Sequence, residues 1–223
     1  MRSIHGVLTT ALSAFVALLL ISDAAICASR YDALLGTRSG RQKLTELARI
    51  EESRALNIDA ITSYAHDSNP LVRLRCAEVL GRIGNPAGVP LLAGLSKDQN
   101  EDVAKTAIFS LGLIGGKDSI EPLKYALKKR SKNIKVRALE ALSATGEPEA
   151  AEPITSYLSN FSTALRVAAA ISLSRLDDST AVSACGTAIF DPDPRVLAAV
   201  AYTLGRCEDK SHEKHITDLL ENK

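Results

Sequence analysis

Tryptophan is absent from the 223 residues, methionine occurs once, and aromatic side chains make up only 4% of the chain. A single-strand nucleic-acid binder needs aromatic platforms on which bases stack, and a duplex binder needs a positive face. Lys and Arg number 27 against 26 Asp and Glu, so the net charge of +1 provides no general attraction for a polyanion. Together these shortages argue against a nucleic-acid partner. Cysteine is also scarce: Cys27 lies near the start, and Cys76, Cys185 and Cys207 stand at spacings that form no disulfide framework. No Gly-rich phosphate loop, serine-nucleophile motif or paired-carboxylate pocket can be assembled, so no cofactor and no small-molecule substrate is implied. What remains is ordinary globular composition, 46% hydrophobic and 24% charged.

The first 28 residues stand apart. Arg2 provides a positive start, and an apolar run from Val7 to Ile21 is interrupted only by Thr9, Thr10 and Ser13. Ala24, Ala25, Cys27 and Ala28 then supply small residues. That is the three-part layout of a secretory signal peptide. The apolar run is shorter than the ~20 residues that a membrane-spanning helix needs, and Asp23 closes it. The expected organisation is a signal peptide over 1–28, a short linker over 29–40 and a repeat domain over 41–223. The mature chain is expected to begin near Ser29 outside the cytoplasm; the alternative is a chain anchored in a membrane by this segment.

The dominant signal is a period of 31 residues. Val72, Val103, Ile134, Leu165 and Val196 align, as do Leu80, Leu111, Leu142, Leu173 and Leu204. Between them Cys76, Ala107, Ala138, Ala169 and Val200 align as small apolar residues, and Ala77, Ile108, Leu139, Ala170 and Ala201 follow. The spacing 72, 76, 80, 83 is one stripe of an amphipathic helix. A second stripe runs through Val89, Ile120, Ala151 and Val182, then through Leu92, Leu123, Ile154, Cys185 and Ile216. Each unit therefore holds two short helices. Gly84, Gly115 and Gly146 fall just past the first helix, where a left-handed C-cap is wanted. Pro70 and Pro194 sit at the start of first helices, and Pro90, Pro122 and Pro153 near the start of second ones, where first-turn amides lack intrahelical partners. Asp67, Asn69, Asp191 and Asp193 are cap candidates. In units four and five Asp177 and Glu208 replace the recurring glycine, so their turns should differ. Upstream, Arg41 and Arg49 occupy the Val72 and Leu80 positions, which marks 41–66 as a divergent cap with one wet face. The predicted fold is all-α: a solenoid of about five 31-residue helical pairs plus that cap, with no sheet.

These residues, carried by DSNPLVRLRCAEVLGRIGNPAGVPLLAGL at 67–95 and weaker copies after it, resemble the short HEAT-like repeat of bacterial repeat proteins and phycobilin lyases. The segment LARIEESRALNIDAITSYAHDSNPLVRLRCAEVLGRIGNPAGVPLL at 47–92 is also similar to HEAT-repeat regions of exported bacterial proteins that carry a peptidyl-prolyl isomerase domain, of which this sequence shows no trace. The resemblance implies the fold and leaves the function open. Deoxyhypusine hydroxylase-like proteins hold two irons on repeated His-Glu pairs; only His212-Glu213 occurs here. HEAT-like DNA glycosylases rely on tryptophan, which is missing.

Two features bear on chemistry. His212 and His215 share a helix face, with Cys207, Asp209 and Glu213 nearby, and could hold a metal, although the His-Glu-x-x-His pattern is not met. The plainer reading is a polar terminal helix. From Lys124 to Arg137 run seven basic residues and no acid: Lys124, Lys128, Lys129, Arg130, Lys132, Lys135 and Arg137. The stretch could seat an anionic partner, or be a solvated turn whose lysines complement a helix C-terminus. Arg73, Lys135 and Arg166 recur at one phase and Arg82, Arg175 and Arg206 at another, placed to bridge neighbouring turns. The second-helix row Gly94, Tyr125, Ser156, Thr187, Asp218 and its neighbour Ala93, Lys124, Thr155, Gly186, Thr217 are small or polar, which lets a partner approach. The expected function is a non-catalytic scaffold or adaptor that binds another protein, an acidic one where Lys124, Tyr125, Lys128, Lys129, Arg130 and Lys132 meet it. The alternative is a lyase-like or metal-dependent enzyme on the same fold.

Overall fold

Pro70, Glu101, Lys132, Thr163 and Pro194 each open a helix, at intervals of 31 residues. The computed structural model describes residues 37–129, 131–176, 178–186 and 188–206. Among these, eleven α-helices and no strand occur: α1 (Arg38–Ser53), α2 (Ile58–Ala65), α3 (Pro70–Ile83), α4 (Val89–Leu95), α5 (Glu101–Ile114), α6 (Ile120–Leu127), α7 (Lys132–Ala144), α8 (Ala151–Thr155), α9 (Thr163–Leu173), α10 (Asp178–Cys185) and α11 (Pro194–Arg206). None is long and apolar enough to cross a membrane. The chain divides into two units after Glu46. In the first, the Gly40 amide donates to Thr37 Oγ1 at 2.9 Å and Thr45 Oγ1 donates to the Arg41 carbonyl at 2.9 Å. The second carries the repeats.

The apolar stripes are the core. Val72, Val103 and Val196 are fully buried, as are Cys76, Ala107, Ala138, Ala169 and Val200. The invariant leucines, Leu80 to Leu204, are buried in every copy. Ala201 departs from its row and is exposed. Each first helix stacks on the next first helix, α3 on α5 and so on to α11, while α2, α4 and α6 pack against the first helix that follows them. Stacking is closest where glycine stands. A Cβ on Gly112 of α5 would lie 2.8 Å from Ala141 Cα of α7, so the backbones touch because the side chain is missing. In the divergent first pair Leu47 and Ile61 are buried, whereas Arg41 and Arg49 are exposed.

Helix ends follow the expected chemistry with two differences. Asn69 and Asn100 cap α3 and α5 by accepting the Leu71 amide and the Asp102 and Val103 amides, and Pro70 opens α3. Gly84 closes α3 in the left-handed region (φ 71°, ψ 16°). Gly115 shares its φ of 71° but takes ψ −158°, and α7 ends on Thr145 with Gly146 one residue beyond. One glycine phase thus serves three different turns. Second helices are also preceded by a 3-10 turn, at Pro86–Gly88, Lys117–Ser119 and Pro148–Ala150. In the fourth unit, where Asp177 replaces glycine, that lead-in is missing and α10 begins at Asp178 rather than at position 182.

Candidate interaction surface

Between consecutive units the chain makes a turn, and an arginine ties two such turns together. Arg73 of α3 donates from Nε and Nη2 to Asp98 at 2.6 and 2.8 Å, and from Nη1 to the carbonyls of Asp67 and Ser68. Asp98 in turn accepts the Asn100 amide at 2.8 Å. The same device recurs at Arg166, which meets Asp191 at 2.6 and 3.0 Å and the carbonyls of Asn160 and Phe161, while Asp191 accepts the Asp193 amide. Both carboxylates are nearly covered, 9% and 7% exposed. Burial pushes the Asp98 carboxyl up, but the Arg73 bonds, the Asn100 amide and the Arg73 charge outweigh it and hold it below its ordinary range. For Asp191 the Arg166 bond is the leading cause of the same displacement. The bridging role expected of Arg73 and Arg166 is what the structure shows.

The device fails in the middle of the array. One repeat on from Arg73 stands Ala104, and one repeat on from Asp98 stands Lys129. The next position, Lys135 facing the register of Asn160, lacks the carboxylate as well. Where the first junction has a part-buried ion pair, the second has an ammonium group. Lys129 lies with its Nζ 5.2 Å from the centroid of the Tyr125 ring, and Lys97, from the preceding unit, lies 5.0 Å from the same ring. Both distances are within cation–π range. Tyr125 is 44% exposed, so a ring with two ammonium groups close to it faces solvent on α6.

The other members of the basic run separate. Lys124 pairs with Glu121 at 2.8 Å on its own helix. Lys128 ends α6 and Lys132 begins α7, both exposed. Lys135 lies 5.9 Å from the Tyr157 ring, whose hydroxyl donates to the Leu127 carbonyl at 2.8 Å. Arg137 stacks over Phe109 at 5.4 Å and pairs with Glu140 at 3.1 Å. Ser131 caps α7 and donates to Glu101 at 3.1 Å. Arg130 lies outside the described residues. A run without acids in sequence is therefore interleaved with Glu101, Glu121 and Glu140 in space. Asp191 and Asp193, elsewhere in the array, are likewise engaged, by Arg166 and Arg195 at 2.6 and 2.8 Å. Asp177 and the side chain of Asp178 lie outside the described residues.

Lys97 was not among the residues the sequence singled out. Its signal was present, since Lys97 and Lys128 share one phase with His66. At the first junction that phase borders a crevice of about 400 Å³ above Gly94, beside the Arg73–Asp98 pair. Cys76 and Cys185 are buried as expected, and burial pushes the Cys76 thiol up to about 12. Among the described residues no three His, Cys, Asp or Glu side chains gather as a metal site, and His212 and His215 lie outside them.

The paired helices, the constant register and the stacking of like helix on like define an α-solenoid of the HEAT type. Family models agree: that for HEAT repeats matches residues 88–162 and 151–223, and that for the PBS lyase HEAT-like repeat matches 72–98, so the chain belongs to the HEAT-repeat family. No curated protein matches it. Among solved structures, YibA of E. coli is similar at 20% identity over 80% of this chain and 68% of that one, with a TM-score of 0.53. A designed armadillo repeat protein in complex with the peptide (KR)4 is similar at 16% identity, over 76% and 92%, with a TM-score of 0.51. Human deoxyhypusine hydroxylase in complex with glycerol shows 18% identity over 72% and 76%, with a TM-score of 0.42.

Proposed function

We propose that the chain is an exported, non-catalytic adaptor that binds an acidic protein segment on its second-helix surface, at Lys97, Tyr125 and Lys129, with Lys124, Lys128 and Lys132 around them and Arg130 in the same basic run of the sequence. The observation that carries this reading is the broken register at Ala104 and Lys129. A carboxylate that would brace the array is replaced by a cation, and the ring beside it stays exposed. Departures from a consistent local design concentrate at functional sites. An acidic residue brought by a partner would restore the missing charge. That this fold can hold a peptide is supported by the armadillo neighbour, whose peptide is basic; the lysines here suit the opposite sign. Export rests on the leader at 1–28 and predicts native material whose first residue lies near Ser29.

The test uses the mature chain and a short fluorescent peptide rich in Asp and Glu. Lys97→Glu with Lys129→Glu is expected to weaken binding at least about tenfold and to flatten its salt dependence, with the helical signal unchanged. Equal affinity of both proteins at low ionic strength defeats the assignment.

A further inference from the structure

We infer that the crevice above Gly94 is a pocket for an aromatic side chain of the same partner segment, one repeat away from the lysine-flanked ring. This rests on the preceding reading of the lysine surface. The chain itself shows what such a crevice accepts. Shifted by 31 residues, Gly94 becomes Tyr125, His66 becomes Lys97 and Asp98 becomes Lys129. At the second junction the Tyr125 side chain stands where, at the first, the space above Gly94 is open. A Cβ built on Gly94 meets no atom within 4 Å. The crevice, about 400 Å³, is bounded by His66, Asp67, Pro90, Leu91 and the Arg73–Asp98 pair, Asp67 accepting the Asn69 amide at 2.8 Å, and its volume falls in the range of about 300–1,000 Å³ of ligand clefts. Pro90 and Leu91 give apolar walls, and the guanidinium and carboxylate of the pair already satisfy one another. An uncharged ring is the occupant these walls favour.

Two neighbouring sites fix a spacing. Like helices of consecutive repeats stack about 10 Å apart, which is about three residues of extended chain at about 3.3 Å each. The recognised segment therefore carries an aromatic residue three positions from an acidic pair. The aromatic ring fills the Gly94 crevice, and the carboxylates reach Lys97 and Lys129.

Four fluorescent peptides test this on the mature chain: Phe three positions before Asp-Glu, Phe three positions after it, and each with Phe replaced by Ala. One Phe peptide is expected to bind at least about fivefold more tightly than its Ala counterpart, a gain of about 1 kcal/mol. Gly94→Tyr, which fills the crevice from within, is expected to remove that gain and leave the Ala peptides unaffected, which also reports that the variant is folded. Gly94→Ala is expected to keep the gain. Equal binding of Phe and Ala peptides to the native chain, or a gain that survives Gly94→Tyr, overturns the pocket while leaving the lysine surface intact. Failure of all four peptides to bind at low salt overturns both.

Discussion

Ser110, Ser172 and Thr203 occupy one phase of the first helices, and all three are buried. Ser110 Oγ donates to the Ala77 carbonyl at 2.8 Å and Thr203 Oγ1 to the Ala170 carbonyl at 2.7 Å, each onto the preceding first helix. Ser172 Oγ is buried without a partner. A buried hydroxyl left unsatisfied costs more than an alanine in its place, whereas a satisfied one contributes about 0.5–1.5 kcal/mol. Ser172→Ala is therefore expected to hold or raise the urea midpoint, and Ser110→Ala to lower it. Sequence showed the phase but not the difference between the two serines. The difference lies in whether a carbonyl of the preceding helix is within reach of the hydroxyl, which residue types do not encode.

At the scale of helices and turns, the stripes at 72, 76 and 80 placed every first helix, because burial of one face is what fixes a helix in a stack. The 3-10 lead-ins, the early start of α10 and the three conformations after the recurring glycine were not legible, since each depends on how the turn must reach its neighbour. Nor were the hydrogen bonds of Ser131 and Asn133, inside the basic run, to Glu101 about one repeat before them. The Arg73–Asp98 brace gives the prediction at this scale. Asp98→Ala is expected to cost about 1.5–3 kcal/mol at neutral pH, the range for hydrogen bonds to charged groups. The Asp98 carboxyl is held below its ordinary value of 3.8, so folding favours its ionised form. That contribution is whole above the ordinary value and is lost as pH falls through the depressed one. The stability gap between native chain and variant is thus expected to be full at pH 7 and to close in acid below 3.8, as read by denaturant midpoints across pH.

For the array as a whole, the junctions are comparable parts in unequal states: braced between the first pair of turns, unbraced at Ala104 and Lys129 and at Lys135 and Asn160, and braced again at Arg166 and Asp191. Stability in repeat proteins is close to a sum over units and nearest-neighbour interfaces, so one junction can be exchanged for another. Ala104→Arg, Tyr125→Gly and Lys129→Asp together rebuild the first junction at the second. That variant is expected to gain about 1 kcal/mol from the restored hydrogen bonds and to lose capture of acidic peptide. A lower midpoint, or undiminished capture, contradicts the account. The site is then a place where the array carries a cation instead of its own brace.

The hydroxyl-to-carbonyl bonds at Ser110 and Thr203 span 33 residues, and the arginine braces span 25. Such bonds close only short loops, and short loops are entropically mild to close. Chains dominated by near-sequence contacts reach their native topology quickly, and repeat arrays can nucleate at any unit and grow from there. A stretch of two or three units can therefore acquire its neighbours' register as soon as it emerges, and folding proceeds as extension along the chain instead of waiting for distant segments to meet.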